Sequence, residues 1–207
     1  MLCALALLAS LASMPRDMVT AALQSYENVV SYRVTLRVMH GKSNEIIAYS
    51  FKKPGFVRMD FIRPHNGAVL VYDPTTNRVR LQPFGISKAF ALSLSPDSRL
   101  IKSPSGHQVN ESDIGALLRR ALLLQNQGQA TVQGEEKLGS RSTILVSIEG
   151  QNGFSLDGTH RFLLNLDKDT FLPLQVRTYD AADRLLEAVL MDDLQIDVHF
   201  DDRFFTP

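Results

Sequence analysis

Residues 31–52 read SYRVTLRVMHGKSNEIIAYSFK, two strands around a polar turn. Apolar and polar residues alternate from Ser31 to His40, and the return strand runs from Glu45 to Lys52. Alternation puts the apolar side chains on one face of a strand and the polar ones on the other. The glycine and polar residues at 41–44 are typical of a turn. The stretch therefore predicts an antiparallel hairpin with one buried face.

The same alternation recurs along the chain and predicts a mainly antiparallel sheet. Three strands follow the hairpin: Phe56–Ile62, Gly67–Tyr72 and Arg78–Gln82. Four more are predicted near Thr131–Gly134, Ser142–Glu149, His160–Asp167 and Leu174–Tyr179, and a last long one covers Leu185–Phe200, with a break or bulge near Asp192 and Asp193. Strands at this spacing predict a meander.

Three segments have helical patterns. Pro15–Asn28 is amphipathic, and Ile86–Leu94 is predicted as a short helix. Asn110–Asn126 has the clearest pattern: Asn110 or Ser112 is expected to cap it, and Ile114, Leu117, Leu118, Ala121 and Leu122 form an apolar stripe. These amphipathic helices could cover the apolar face of the sheet, leaving either a packed core or an apolar pocket. Patterning alone favours the packed core.

The N-terminal segment predicts export. Residues 2–11 are apolar, too short a run to span a bilayer, and Ser10-Leu11-Ala12 fits a signal-peptidase site. We expect a signal peptide over residues 1–12 and a single domain over 13–207; the alternative is a buried N-terminal helix. Cys3 is the only cysteine, so the mature chain would have no disulfide and no thiolate metal site.

Charge is divided between the two parts of the chain. Residues 31–110 carry 12 Lys and Arg against 4 Asp and Glu, whereas residues 111–207 carry 9 against 16. A general polyanion binder would be basic throughout, so this division argues against nucleic-acid binding. It allows one positive and one negative region that orient a partner, unless the folded sheet mixes the two parts.

The sequence offers little catalytic machinery. It contains no phosphate-binding loop, dinucleotide fingerprint or nucleophile elbow, and its five histidines show no metal-ligand spacing. Adjacent acidic residues such as Asp192 and Asp193 point to opposite faces of a strand, which disfavours a paired acid and base. We therefore expect no enzyme activity, no cofactor and no metal.

Several motifs resemble a known family. They are the strand-turn-strand of residues 51–59, FKKPGFVRM; the strand and Asp-Pro turn of residues 69–74, VLVYDP; residues 166–174, LDKDTFLPL; and the ending from Asp193 to Pro207. In this order they resemble the periplasmic outer-membrane lipoprotein carriers of the LolA/LolB-like group. In that family an Arg before the proline helps to hold a helical lid; here the position is Lys53.

The resemblance implies an α+β fold, an antiparallel, incompletely closed β-barrel with about three helices plugging its concave face. It implies a monomeric carrier in a Gram-negative-type periplasm that binds lipid or the acyl chains of a lipoprotein. An inner-membrane release complex and an outer-membrane acceptor would be its partners. The alternative is a periplasmic sensor or adaptor that binds a protein through the convex face.

Under the carrier hypothesis, the inward side chains of the first three strands would line the cavity and one helix would form the lid. The predicted cavity wall is Val34, Leu36, Val38, Ile47, Tyr49, Phe51, Val57, Met59 and Phe61. The predicted lid is Lys53, Leu117, Leu118 and Leu122. Ordinary packing in a core is the competing explanation for each of these residues.

Overall fold

The computed structural model describes residues 17–83, 91–103 and 106–206. The described chain forms two α-helices and one sheet of eleven strands. The helices are α1 (Met18–Asn28) and α2 (Ile114–Asn126). The strands are β1 (Ser31–His40), β2 (Ser43–Lys52), β3 (Phe56–Arg63), β4 (Val69–Asp73), β5 (Arg78–Gln82), β6 (Leu92–Leu94), β7 (Gly128–Leu138), β8 (Arg141–Gly150), β9 (Arg161–Asp167), β10 (Pro173–Tyr179) and β11 (Leu185–Ile196).

The sheet consists of two meanders joined side by side. Its strand order is β6-β5-β4-β3-β2-β1-β11-β10-β9-β8-β7, and all pairs are antiparallel. Every neighbouring pair except β1 and β11 is also consecutive in sequence. The sheet is not closed, since β6 and β7 are its two edges. The predicted antiparallel, open half-barrel is therefore confirmed.

Each helix begins at an aspartate. Asp17 accepts the backbone N–H groups of Val19 and Thr20 at 3.0 and 3.1 Å, and Asp113 accepts that of Ala116 at 3.1 Å. Such bonds satisfy N–H groups that have no partner within the helix. The expected caps of α2 were wrong: Asn110 belongs to a 3-10 turn, Val109–Glu111, which ends at Ser112. The predicted start of the first helix at Pro15 lies outside the described residues.

The prediction of about three helices was also wrong, since residues 17–83, 91–103 and 106–206 form two α-helices. Of the segment predicted as a short helix, Leu92–Leu94 is instead the edge strand β6, which pairs with β5. Residues 86–90 of that segment lie outside the described residues. Three residues contain too few alternations of apolar and polar side chains to distinguish a strand from a helix, so the sequence pattern fitted both.

Both helices pack on one side of the sheet, which we call the inner face. The Tyr26 ring of α1 lies 6.2 Å from the Phe51 ring of β2, and Leu118 of α2 is completely buried in the same cluster. The two helices meet at Gly115, where an added Cβ would lie 2.2 Å from a ring carbon of Tyr26. Only glycine permits this approach.

The opposite side, the outer face, is partly covered by the end of the chain. The predicted bulge near Asp192 and Asp193 is present, because the register of β1 against β11 shifts opposite residues 192–195. After β11 the chain crosses the outer face, where the Phe200 and Phe204 rings are in contact, tilted by 31° with centres 4.6 Å apart. The Arg33 guanidinium lies 5.3 and 5.6 Å from these two rings. This packing gives Arg33 an aromatic environment.

Candidate apolar binding site

The nine predicted wall residues lie on the inner face and form rows across β1, β2 and β3. Val34, Tyr49 and Met59 are cross-strand neighbours in one row, and Leu36, Ile47 and Phe61 in the next. A third row contains Phe51 and Val57 beside Tyr32, and Val38 extends the face along β1. Alternation within strands produces this arrangement, because a hairpin in register keeps apolar residues opposite one another.

Burial divides the wall residues into two groups. Val34, Ile47, Tyr49, Phe51 and Val57 are buried, none more than 6% exposed. The protein's own side chains pack against them, so here the face is a core. Their prediction as ligand contacts stays a prediction, and it requires that the helices move.

The remaining wall residues are half-buried and form what we call the apolar strip. Its members are Leu36, Val38, Met59, Phe61 and, from β11, Met191. Met191 is the cross-strand neighbour of Leu36, and Ile47 connects Leu36 to Phe61. The strip therefore has members on β3, β1 and β11, on both sides of the join between the two meanders, and buried Ile47 of β2 lies between Phe61 and Leu36. Apolar side chains here remain accessible without any movement of the helices.

The lid prediction concerned α2 and Lys53. Leu118 is completely buried, while Leu117 and Leu122 are half-buried and pack against the edge of the same cluster. Lys53 contacts α1 rather than α2. Its Nζ donates to the backbone oxygens of Tyr26 at 3.3 Å and Glu27 at 2.7 Å, and it lies 5.2 Å from the centre of the Tyr26 ring. A cation at the C-terminal end of a helix is stabilising.

A buried polar cluster fastens the start of α2, and the sequence analysis missed it. Tyr26 Oη donates to an Asp113 carboxylate oxygen at 2.7 Å, and the Ile114 N–H donates to Tyr32 Oη at 3.1 Å. The hydroxyls of Tyr49 and Ser112 are 3.1 Å apart. Tyrosines from α1, β1 and β2 thus converge on the three residues that begin α2. We call this group the tyrosine cluster.

The three tyrosine hydroxyls of the cluster keep their protons at ordinary pH. Burial raises the pKa of Tyr26, Tyr32 and Tyr49, and the nearby Asp113 carboxylate raises all three further. Each hydroxyl keeps its proton and can donate or accept a hydrogen bond. A helical cover fastened by hydrogen bonds at one end can move as a unit if those bonds break. In the sequence, these tyrosines occupy positions that an ordinary apolar residue could fill. Only the presence of a hydroxyl group at each position could have indicated a buried polar cluster.

The described residues contain no group of three His, Cys, Asp or Glu side chains placed to hold a metal ion. Within the same ranges, neither helix is long and apolar enough to cross a membrane. The predicted signal peptide lies outside the described residues.

The sequence matches the family described as "Protein of unknown function (DUF1571)" over residues 23–207. The chain belongs to this family. No curated protein matches the DUF1571 chain.

Solved structures resemble the DUF1571 chain in fold. An uncharacterized conserved protein from Thermus thermophilus is similar over 92% of this chain and 91% of its own, at 10% identity and a TM-score of 0.57. A chain of the Pseudomonas aeruginosa MucA/MucB complex is similar over 92% of this chain, at 16% identity and a TM-score of 0.56. The DUF1571 chain spans 60% of that chain's length. Identities this low show the fold alone.

A LolA superfamily protein, NE2245 from Nitrosomonas europaea, is matched over 95% of this chain and 99% of its own, at 12% identity and a TM-score of 0.37. The LolA-like resemblance indicated by the sequence motifs is supported at the level of the fold alone.

Proposed function

We propose that this protein is an exported carrier that binds the acyl chains of a lipid or lipoprotein on the inner face of its sheet. The apolar strip is the observation that carries the proposal. Its residues lie on β3, β1 and β11, are half-buried and, apart from Val38, pack at the border of the core that the helices cover. A folded protein in water gains nothing in stability from leaving such a strip accessible, whereas a ligand that covers it is stabilised.

The energetics favour an acyl chain as the ligand. Burial of each methylene contributes roughly 0.8 kcal/mol, so a chain of about ten methylenes would offset the cost of association. Met59 and Met191 have flexible, polarisable side chains that can adapt to different acyl chains. A longer or second chain would extend under α2, and this would require the tyrosine cluster to open. Binding and release would thus need movement of the helices but no covalent chemistry.

The proposed setting is the periplasm of a Gram-negative-type envelope, with the signal peptide removed. The cargo would be an acylated lipoprotein or a lipid, received from an inner-membrane complex and passed to an outer-membrane acceptor. The predicted signal peptide and the LolA-like fold support this proposal. A second candidate, a protein-binding adaptor, is favoured by a different observation, the exposed edge strand β7.

The proposal can be tested with palmitate, detected by displacement of the dye N-phenyl-1-naphthylamine. We expect wild-type protein to bind palmitate and Met59→Asp to lose at least tenfold in affinity, because a carboxylate would interrupt the apolar strip. Met39→Asp is the matched control. Met39 is 51% exposed on the outer face of β1, so binding should be unchanged.

Two results would overturn the proposal. One is a folded Met59→Asp protein, with native circular dichroism and melting, that binds palmitate as wild type does. The other is wild-type protein that binds neither palmitate nor a palmitoylated peptide.

A further inference from the structure

Strand β7 is a long exposed edge of the sheet. It has eleven residues and, among the described strands, it pairs only with β8. All residues from Gln129 to Lys137 are exposed. An edge strand of this length presents unpaired backbone groups that can hydrogen-bond an added strand.

The register shows which backbone groups face outward. Just before β7, the Gln151 N–H donates to the Gln127 oxygen at 3.0 Å, and Gly128 is the cross-strand neighbour of Gly150. In an antiparallel pair, hydrogen-bonded and non-hydrogen-bonded positions alternate. Gly128, Ala130 and Val132 are therefore the positions whose N–H and C=O groups point away from β8.

The first half of β7 lacks the features that protect an edge. Residues 128–132 carry no charge, and Val132 is 45% exposed. The second half has such features: a register shift next to Gly134, followed by Glu135 and Glu136. Charges and bulges discourage pairing with other strands. The edge is thus open to pairing over residues 128–132 and blocked beyond them.

A groove of about 580 Å³ lies beside this edge on the outer face. Gln133 of β7 borders one side, Leu145, Ser147 and Glu149 of β8 contribute to its lining, and the turn from Asp180 to Asp183 borders the other. Glu149 is the cross-strand neighbour of Gln129. Adjacent strands are about 4.8 Å apart, so a long side chain on a strand added to β7 can extend past Gln129 and Thr131 of β7 and reach this groove.

The groove has an acidic character. Glu149, Asp180 and Asp183 line it. The Asp180 carboxylate accepts a hydrogen bond from Arg184 at 2.7 Å, which leaves Glu149 as the lining carboxylate that is not paired with an arginine in the described residues. Its one lining arginine, Arg161, is already paired with Asp183 and lies 4.1 Å from the centre of the Tyr179 ring. The Glu149 side chain is 49% exposed, its carboxylate lies 3.7 Å from His160 Nε2, and Arg161 is its cross-strand neighbour on β9. A cationic side chain would complement this surface.

We propose that β7 is the docking edge for an extended basic segment of a partner protein. The segment adds a strand beside residues 128–132, with main-chain hydrogen bonds to Gly128, Ala130 and Val132. Alternate Lys or Arg side chains of the segment lie on the outer face and extend toward Glu149 and the groove. This surface is separate from the apolar strip, so a partner and an acyl chain could be bound together.

The test uses a fluorescein-labelled synthetic peptide of alternating lysine and valine, with fluorescence anisotropy as the readout. Three further probes are the same peptide with glutamate for lysine and two N-methylated versions, one for each of the two sets of alternate amides. We expect the lysine peptide to bind, with an affinity that falls as salt rises. The glutamate peptide and one of the two N-methylated registers should bind at least tenfold more weakly.

Two protein variants locate the site. Ala130→Pro removes an outward N–H and should abolish binding while the bonds of Gln129 and Thr131 to β8 remain. Glu149→Lys should weaken binding at least tenfold, whereas Asp202→Lys, the same charge change at an exposed position on the C-terminal tail, should have a much smaller effect.

Equal binding of the lysine and glutamate peptides, or unchanged binding by Glu149→Lys, would overturn the proposal. So would self-association of the wild-type protein through β7, detected by sedimentation and lost in Ala130→Pro, without binding of the lysine peptide. That result would identify a second copy of the chain as the occupant. If Ala130→Pro fails to fold, the N-methylated peptides and Glu149→Lys decide the question.

Discussion

Replacing Asp113 by alanine tests whether the tyrosine cluster fastens the helical cover. Asp113 accepts the Ala116 N–H at 3.1 Å and the Tyr26 hydroxyl at 2.7 Å, and it is 9% exposed. Loss of a helix cap costs about 1 kcal/mol. Leaving the buried Tyr26 hydroxyl without its acceptor costs about 1–3 kcal/mol more. We therefore expect the free energy of unfolding to fall by about 2–4 kcal/mol.

Asp17→Ala is the matched control for Asp113→Ala. Asp17 caps α1 through the backbone N–H groups of Val19 and Thr20, but it is bonded to no tyrosine, and its long-range partner is the Gln125 side chain at 3.0 Å. Its replacement should cost about 1 kcal/mol. The protein has no tryptophan, so urea unfolding should be followed by far-ultraviolet circular dichroism. The difference between the two variants measures how much more the buried bond of Asp113 to Tyr26 contributes than the bond of Asp17 to Gln125.

A double-mutant cycle with Tyr26→Phe isolates the tyrosine–carboxylate bond. Residues that share a hydrogen bond show coupling energies of about 0.5–3 kcal/mol. The reasoning is refuted if Asp113→Ala costs no more than Asp17→Ala. It is equally refuted if the effects of Asp113→Ala and Tyr26→Phe simply add.

Two further predictions concern the same cover. The raised pKa values of Tyr26, Tyr32 and Tyr49 mean that the folded state holds these protons more tightly than the unfolded state, whose tyrosines titrate near pH 10. The free energy of unfolding should therefore keep its full value below about pH 10 and fall as the pH rises above it. Urea titrations at a series of pH values measure this, and a free energy of unfolding that does not change above about pH 10 would contradict it. Leu118→Ala should cost about 2–5 kcal/mol, whereas Leu123→Ala, 55% exposed on the same helix, should change stability by less than about 0.5 kcal/mol. Similar melting temperatures for the two variants would disprove the assigned orientation of α2.

The sheet was predictable because the sequence features that specify it, alternation within a strand and short turns between strands, are local. Alternation from Ser31 to His40 and from Phe56 to Ile62 directly reports which side of each strand is buried, and short turns force consecutive strands to pair. The strands of both meanders, apart from β6 and β7, were therefore predicted close to their observed bounds. Strand β6 was missed since three residues carry too little periodicity, and β7 was predicted too short because both of its faces are exposed.

The details of the site were less predictable, because they depend on contacts between distant parts of the chain. The sequence identified which residues face inward but not which of them the helices cover, so buried Val34 and half-buried Leu36 look alike. The cap at Asp113 was missed because Asn110 and Ser112 are equally good caps by residue type. What distinguishes Asp113 is Tyr26, a residue 87 positions away.

Among the described strands, β1 and β11 are the one neighbouring pair that is not consecutive in sequence, and this affects how the molecule assembles. Each meander can form from neighbouring strands, at little entropic cost for closing the short loops between them. The β1–β11 pairing, the contact of α1 with α2, the tyrosine cluster and the C-terminal tail hold the first meander to the second, and the apolar strip lies across that join. Two separately made fragments, divided within residues 95–103, should therefore recombine into the native sheet, and failure to do so would show that the meanders do not form independently. The proposed ligand would then contact both fragments and strengthen their association.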